Sequence, residues 1–244
     1  MKRIAFVNYH PVDSQVVRYV AKELIKKGWE VKFYFSEKEN IIQDIIKSDS
    51  FEYKNIGSIK QKVQKKIFSS LIFIYKLTVE LIKYKPTVVF SPSSIYTGIP
   101  VKIIRKPLIC WADTETANIN LSFSLPFISS LIVSNTFLLN VNNSIKEIRY
   151  NGYKEIAYCH PNWFIPDPEI LKNIGIEQGE KIILMRFSAL KAIHDIGLES
   201  YSENKAQLLG YIKQLEKHAR IFISMTEKDL GKEFEKYQLD IHPA

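Results

Sequence analysis

Little in this chain points to extracellular, redox or metal chemistry. Its two cysteines, Cys110 and Cys159, stand far apart among 244 residues. They cannot build a disulfide framework and lack the spacing of a metal site, a usage that fits a reducing cytoplasm. Long apolar runs are missing as well. The longest, Ile67 to Ile82 (IFSSLIFIYKLTVELI), is broken by Lys76 and Glu80 and falls short of the about 20 residues that span a bilayer. The N-terminal MKRIAFVNY turns polar too early for a secretory signal and reads as a first strand. Glycine is absent from the loop that follows it, where a dinucleotide fingerprint needs close backbone approach to a pyrophosphate, which argues against an NAD or FAD site. A serine-nucleophile elbow, a Walker lysine loop, an HExxH pair and paired cysteines are also missing, which sets those enzyme classes aside.

What is present is a globular composition, 46% hydrophobic and 25% charged, with a formal net charge of +8. The lysines are scattered along helices, with one concentration from Lys54 to Lys66 (KNIGSIKQKVQKK). That run reads as a solvated helix face. Without a helix-turn-helix, zinc or aromatic ribonucleoprotein pattern, no nucleic-acid partner is expected. The apolar run from Ile67 reads as a buried crossover helix packed on a sheet. Lysines on both sides of it (Lys65, Lys66, Lys83, Lys85) keep a second reading open, a peripheral membrane contact.

Strands and helices alternate. Ile4 to Val7 is a continuous apolar run, the pattern of a strand buried on both faces. Asp13 or Ser14 then caps a helix whose apolar residues (Val16, Val17, Val20, Ala21, Leu24, Ile25) recur at helical spacing and which Gly28 closes. Further strands are read at Val31–Phe35, Phe51–Ile56, Thr87–Phe90 (halted by Ser91-Pro92), Leu108–Trp111 and Leu131–Ser134, with a long crossover helix from Ser58 to Tyr84. Such alternation predicts a parallel, doubly wound sheet with right-handed crossovers. From Cys159 to Pro168 (CHPNWFIPDP) prolines interrupt the pattern and predict a stiff connector. It then restarts with a strand at Lys181–Met185, a helix at Asn204–Lys217, a strand at Ile221–Ser224 and a helix at Leu230–Tyr237. The expected organisation is a domain over 1–160, a connector over 161–180 and a partial second domain over 181–244, too short to bury a sheet on both faces.

Several segments carry polar chemistry. Arg186 to Gly197 (RFSALKAIHDIG) follows a strand, and loops past the carboxyl ends of parallel strands are where open α/β sheets bind ligands. Within it Arg186 can grip a phosphate or carboxylate with two prongs, Ser188 and backbone N–H groups can hold an anion, and Lys191, His194 and Asp195 supply an amine, an imidazole and a carboxylate. The alternative is a structured polar loop. Asp113-Thr114-Glu115, also directly after a strand, serves either sugar hydroxyls and proton transfer or a helix N-terminus. Asn151-Gly152 marks a turn, beside which Lys154 and Glu155 are either ligand contacts or a solvated pair. His10, at the end of the first strand, is a candidate base or a loop histidine without a role. No metal cluster is visible.

These words occur in order across nearly the whole chain. Asp113 to Glu115 (DTE), Tyr150 to Tyr158 (YNGYKEIAY), the PDP connector, Arg186 to Gly197 and Ile221 to Ser224 (IFIS) together resemble the Domain of Unknown Function 354 family. That family is similar to GT-B glycosyltransferases of the MurG type and to UDP-N-acetylglucosamine 2-epimerases. The resemblance implies an α/β, GT-B-like fold of two Rossmann-like doubly wound domains facing a cleft, the second incomplete. It implies a glycosyltransferase-like activity on a nucleotide-sugar donor, in surface polysaccharide or glycoconjugate synthesis, with no other cofactor. Partners would be the nucleotide sugar and a glycan or lipid-linked acceptor, at a cytoplasmic site or the inner face of the membrane. The catalytic candidates are His194, Asp113 and Glu115. The substrate and phosphate contacts are Arg186, Ser188, Lys191, Asp195, Lys154, Asn151 and His10. Two departures matter. Asp13 stands where family members carry a histidine, so a catalytic role does not transfer to His10. The chain also stops before a glycine-, threonine- and glutamate-rich segment, which implies that it is inactive alone. Nucleotide-sugar 2-epimerisation and non-catalytic sugar or partner binding are the alternatives; nothing here specifies an oligomeric state.

Overall fold

A computed structural model describes residues 1–37, 40–60, 63–115, 118–139, 145–187, 205–225 and 231–239. The chain divides into two units, residues 1–164 and 165–243. The division falls inside the proline-bearing stretch.

Unit 1 runs β1 (Arg3–Asn8), α1 (Pro11–Lys26), β2 (Glu30–Phe35), α2 (Ile41–Ser48), β3 (Glu52–Asn55), α3 (Val63–Tyr84), β4 (Val88–Pro92), α4 (Ile95–Ile103), β5 (Leu108–Trp111), α5 (Asn118–Ser124), a 3-10 turn (Leu125–Phe127), β6 (Ser130–Ser134), β7 (Lys146–Tyr150) and α6 (Ile156–Cys159). Its seven strands form one parallel sheet in the order β3-β2-β1-β4-β5-β6-β7. Alternation along β1 explains the continuous apolar run. Ile4 and Phe6 face a core with Phe33, Val17 and Ile42, under α1 and α2. Ala5 and Val7 face the opposite core with Leu77, Leu81, Val101 and Leu108, under α3 and α4. Both faces are covered, as a parallel sheet requires.

Three local features differ from the sequence reading. Helix α1 is capped by His10, because Pro11 with its fixed φ takes the first helical position. Asp13 lies three residues further in and receives N–H groups from the cap instead of being it. Strand β4 is not halted at Ser91-Pro92 but includes both, with Ser91 beside Cys110 and Pro92 beside Trp111. Proline is tolerated there because its nitrogen faces the β1 side, where pairing ends at Phe90, so no ladder bond is lost. Strand β7 and helix α2 add to the elements read from the sequence; β7 (KEIRY) is a mostly polar edge strand without an apolar run.

Unit 2 holds α7 (Glu169–Asn173), β8 (Ile182–Phe187), α8 (Lys205–Leu215), β9 (Arg220–Met225) and a 3-10 turn (Lys232–Tyr237). β8 and β9 are parallel. Leu208 and Ile212 of α8 pack with Ile221, Ile223, Phe234 and Tyr237 in a core of its own.

Candidate functional site

The chain lays down β1, β2 and β3 outward, then returns to place β4 on the other side of β1. At this reversal the loops leaving β1 and β4 diverge and open a crevice at the carboxyl ends of the strands, the usual ligand position in an open α/β sheet. Here it is a cavity of about 500 Å³. Tyr9, His10 and Asp13 come from the β1–α1 loop, Ser93, Ser94 and Tyr96 from the start of α4, and Trp111, Asp113 and Thr114 from the end of β5. Lys154 enters from beyond β7.

Asp13 organises the first loop. Its Oδ2 accepts the backbone N–H groups of Tyr9 and His10, both at 2.8 Å. The residue is 5% exposed. Burial penalises the charged carboxylate more than those two donors favour it, and pushes its pKa up to about 6. His10 uses Nδ1 to accept the Val12 N–H at 3.3 Å, closing the cap of α1. Next to it the Tyr9 hydroxyl meets Thr97 Oγ1 at 2.6 Å, and Thr97 meets Ser91 Oγ at 3.1 Å. Burial also raises the Tyr9 phenol. This wall is therefore fixed from both sides, by α1 and by α4.

The opposite wall is an ion pair. Lys154 Nζ bonds the Asp113 carboxylate and stands 5.4 Å from the Trp111 ring centre. Partial burial opposes the lysine's charge, yet the bond to Asp113 holds its pKa above the ordinary value. The sequence alternative for Lys154, a solvated pair with Glu155, describes only its weaker contact, at 3.9 Å. Asp113 in turn is committed to Lys154 and Thr114, whose hydroxyl donates to it at 3.2 Å. Two polar atoms of the crevice, Trp111 Nε1 and Ser93 Oγ, are buried without a hydrogen-bond partner. Tyr34 Oη and Ser70 Oγ, away from the crevice, are in the same state, although native proteins satisfy nearly all such groups.

A second hollow of about 460 Å³ lies on the other side of the same pair, lined by Glu115, Ser134, Thr136, Tyr150 and Tyr153. Glu115 Oε1 accepts the Leu138 N–H at 3.1 Å. Asn151 bonds Asn135 across the ends of β6 and β7 and lines neither hollow. The structure thus brings Asp113, Lys154, His10 and, in the adjoining hollow, Glu115 to one edge of the sheet.

In unit 2 Arg186 lies inside β8, paired with Ser224, and its side chain is exposed. The strand runs on to Phe187, so Arg186 belongs to the strand and not to the loop as the sequence suggested. Ser188, Lys191, His194 and Asp195 lie outside the described residues. Among the described residues no group of three or more His, Cys, Asp or Glu side chains is placed to hold a metal ion, and no helix is long and apolar enough to cross a membrane.

Sequence reasoning missed Tyr9, Ser93, Ser94 and Trp111 as site residues. The signal was available: each lies at or just past the carboxyl end of a strand, and the strand order makes those ends neighbours.

Residues 7–239 match the family described as "Protein of unknown function (DUF354)". No curated protein matches the chain. Among solved structures, UDP-GlcNAc 2-epimerase from Neisseria meningitidis bound to UDP-GlcNAc is similar with a TM-score of 0.59 and 14% identity, covering 96% of this chain and 67% of that protein. Arabidopsis thaliana UGT89C1 complexed with UDP-L-rhamnose gives 0.59 and 10%, covering 98% and 69%. Anabaena Alr3699/HepE in complex with UDP and glucose gives 0.53 and 10%, covering 93% and 69%. Across these and similar proteins, the chain spans 60 to 69% of their length. At these identities the likeness concerns the fold, which is GT-B-like and built on Rossmann-like units.

Proposed function

The chain belongs to the DUF354 family, and from that footing we propose that it handles a nucleotide sugar, transferring the sugar to a hydroxyl-bearing glycan or lipid-linked acceptor. The observation that carries this reading is the unit 1 crevice, with its Asp113–Lys154 pair and unpartnered Ser93 hydroxyl and Trp111 N–H. Aromatic faces beside hydroxyls and a fixed carboxylate suit a sugar, whose rings offer apolar faces and alternating donors and acceptors. The named neighbours include proteins crystallised with UDP-GlcNAc, UDP-L-rhamnose, or UDP and glucose, which supports the same ligand class.

Unit 1 takes the acceptor in this proposal. Asp113 orients an acceptor hydroxyl, Lys154 holds that carboxylate in place, and Glu115 extends the contact into the second hollow. Asp13 positions the β1–α1 loop against it. Unit 2 takes the nucleotide sugar, with the Arg186 guanidinium on the diphosphate. Ser188, Lys191 and Asp195 are assigned to the same phosphate and sugar, and His194 to proton transfer. Charge on the departing diphosphate is then stabilised by N–H groups and basic side chains.

The test is UDP release from UDP-N-acetylglucosamine by the full-length protein, with and without a panel of glycan acceptors. Acceptor-dependent release that falls about tenfold or more in Lys154→Met fits this role. Conversion of the sugar to its 2-epimer with no acceptor would replace transfer by epimerisation. Binding without any turnover would leave a sugar-binding protein.

A further inference from the structure

Helix α3 has two apolar faces, and among the described residues only one is covered. Phe73, Leu77 and Leu81 are buried in the core over the sheet. At about 100° per residue, Ile67, Phe68, Leu71, Ile72 and Tyr75 share a separate arc, and these five side chains are 39 to 70% exposed. Single surface hydrophobes need no explanation, but five on adjoining turns form a stripe. The reading of this segment as a buried crossover helix packed on a sheet therefore holds for one face only.

Charge is distributed with the stripe. Lys65, Lys76 and Lys83 fall along one edge of the arc, separated by close to whole numbers of turns. Beside Lys76 a notch of about 420 Å³ opens between the helix and the end of β3, lined by Lys54, Tyr75 and one acid, Glu80. Lys83 pairs with Glu80 at 3.4 Å. Lys54, Lys65 and Lys76 make no ion pair among the described residues.

We propose that this face docks on an anionic lipid bilayer. The helix would lie in the plane of the interface, its apolar stripe entering the boundary between headgroups and acyl chains. The lysines lie along their stems and place ammonium groups on lipid phosphates. Charge decides for lipid over a second copy of the chain. An antiparallel two-fold contact through this face would set one row of lysines beside the other, a repulsion that an anionic bilayer converts into attraction. The contact is independent of the sugar-transfer reading, since no residue of the crevice takes part.

Sedimentation with vesicles of phosphatidylcholine, and of phosphatidylcholine mixed with phosphatidylglycerol, tests it on the whole chain. The wild type is expected to pellet with the mixed vesicles and to be released by salt. Phe68→Ser with Leu71→Ser, and separately Lys65→Gln with Lys76→Gln, should each lower the bound fraction by about tenfold with an unchanged circular dichroism spectrum. Leu138→Ser, at a still more exposed apolar residue elsewhere on unit 1, should bind as the wild type does. A wild type that ignores the mixed vesicles overturns the proposal, as does vesicle binding that survives both double variants. A dimer in solution that Phe68→Ser with Leu71→Ser dissolves would give the face to a second copy. Capture of an acidic protein with no vesicle binding would give it to a protein partner.

Discussion

Asp13 and Asp113 stand in comparable places, each shortly past the carboxyl end of a parallel strand and each facing the same crevice. From sequence both read equally well as helix caps. The fold gives them opposite surroundings. Asp13 is buried and its donors are backbone N–H groups. Asp113 keeps a third of its side chain in solvent and meets a full positive charge on Lys154. Position along a strand therefore does not assign a carboxylate its task; desolvation and the nearest donor do. One acid stiffens the loop and the other holds the lysine across the crevice.

The comparison breaks first at Asp13. Asp13→Ala leaves two N–H groups without their acceptor and should cost about 3 kcal/mol in urea unfolding near pH 4, where the carboxyl is neutral in the fold. Asp113→Ala removes a partly exposed ion pair and should cost less than about 1 kcal/mol. Equal losses would erase the distinction.

Titration sharpens it. Asp13 changes from an ordinary value of 3.8 in the unfolded chain to about 6 when folded. Between those values the folded state holds more protons, so stability falls as pH rises from about 4 to about 6 and is level above. The Asp13 contribution is about 3 kcal/mol. Subtracting the urea stability profile of Asp13→Asn from that of the wild type isolates this slope. A difference flat with pH would place Asp13 in water.

A smaller effect follows in α4. Gly98 lies in α4, and a Cβ there would come within 2.8 Å of the Phe127 ring. Replacing a helical glycine by alanine ordinarily gains about 1 kcal/mol, but overpacking against a ring costs about 1 to 3 kcal/mol. Gly98→Ala should therefore lower stability by about 1 kcal/mol, where helix propensity alone predicts a gain; thermal unfolding reads the sign.

The parts legible in sequence are those whose cause is local. Leu108–Trp111 is a strand as read, and Ile4–Val7 is one too, because burial on both faces writes itself as an unbroken apolar run. Gly28 ends α1 with φ of 78°, a conformation glycine adopts without strain. β7 escaped because an edge strand of charged residues has no such signature. The site was harder still. Lys154 and Asp113 are 41 residues apart, and only the order of β5, β6 and β7 brings them together. Tyr9 and Trp111 carry no motif; they line the crevice because the carboxyl ends of β1 and β5 open onto one edge of the sheet. The loop from Arg186, the densest chemical signal in the sequence, begins inside β8 and continues beyond the described residues.

The division of labour between the units is tested most directly by calorimetric titration of UDP-N-acetylglucosamine into the full-length wild type, Arg186→Met and Lys154→Met, paired with acceptor-dependent UDP release from the same three proteins. The account predicts nucleotide-sugar affinity reduced about tenfold in Arg186→Met, a loss of about 1.4 kcal/mol. It predicts near-normal affinity but lost acceptor-dependent release in Lys154→Met. Donor binding untouched by Arg186→Met, or weakened as much by Lys154→Met, would contradict it.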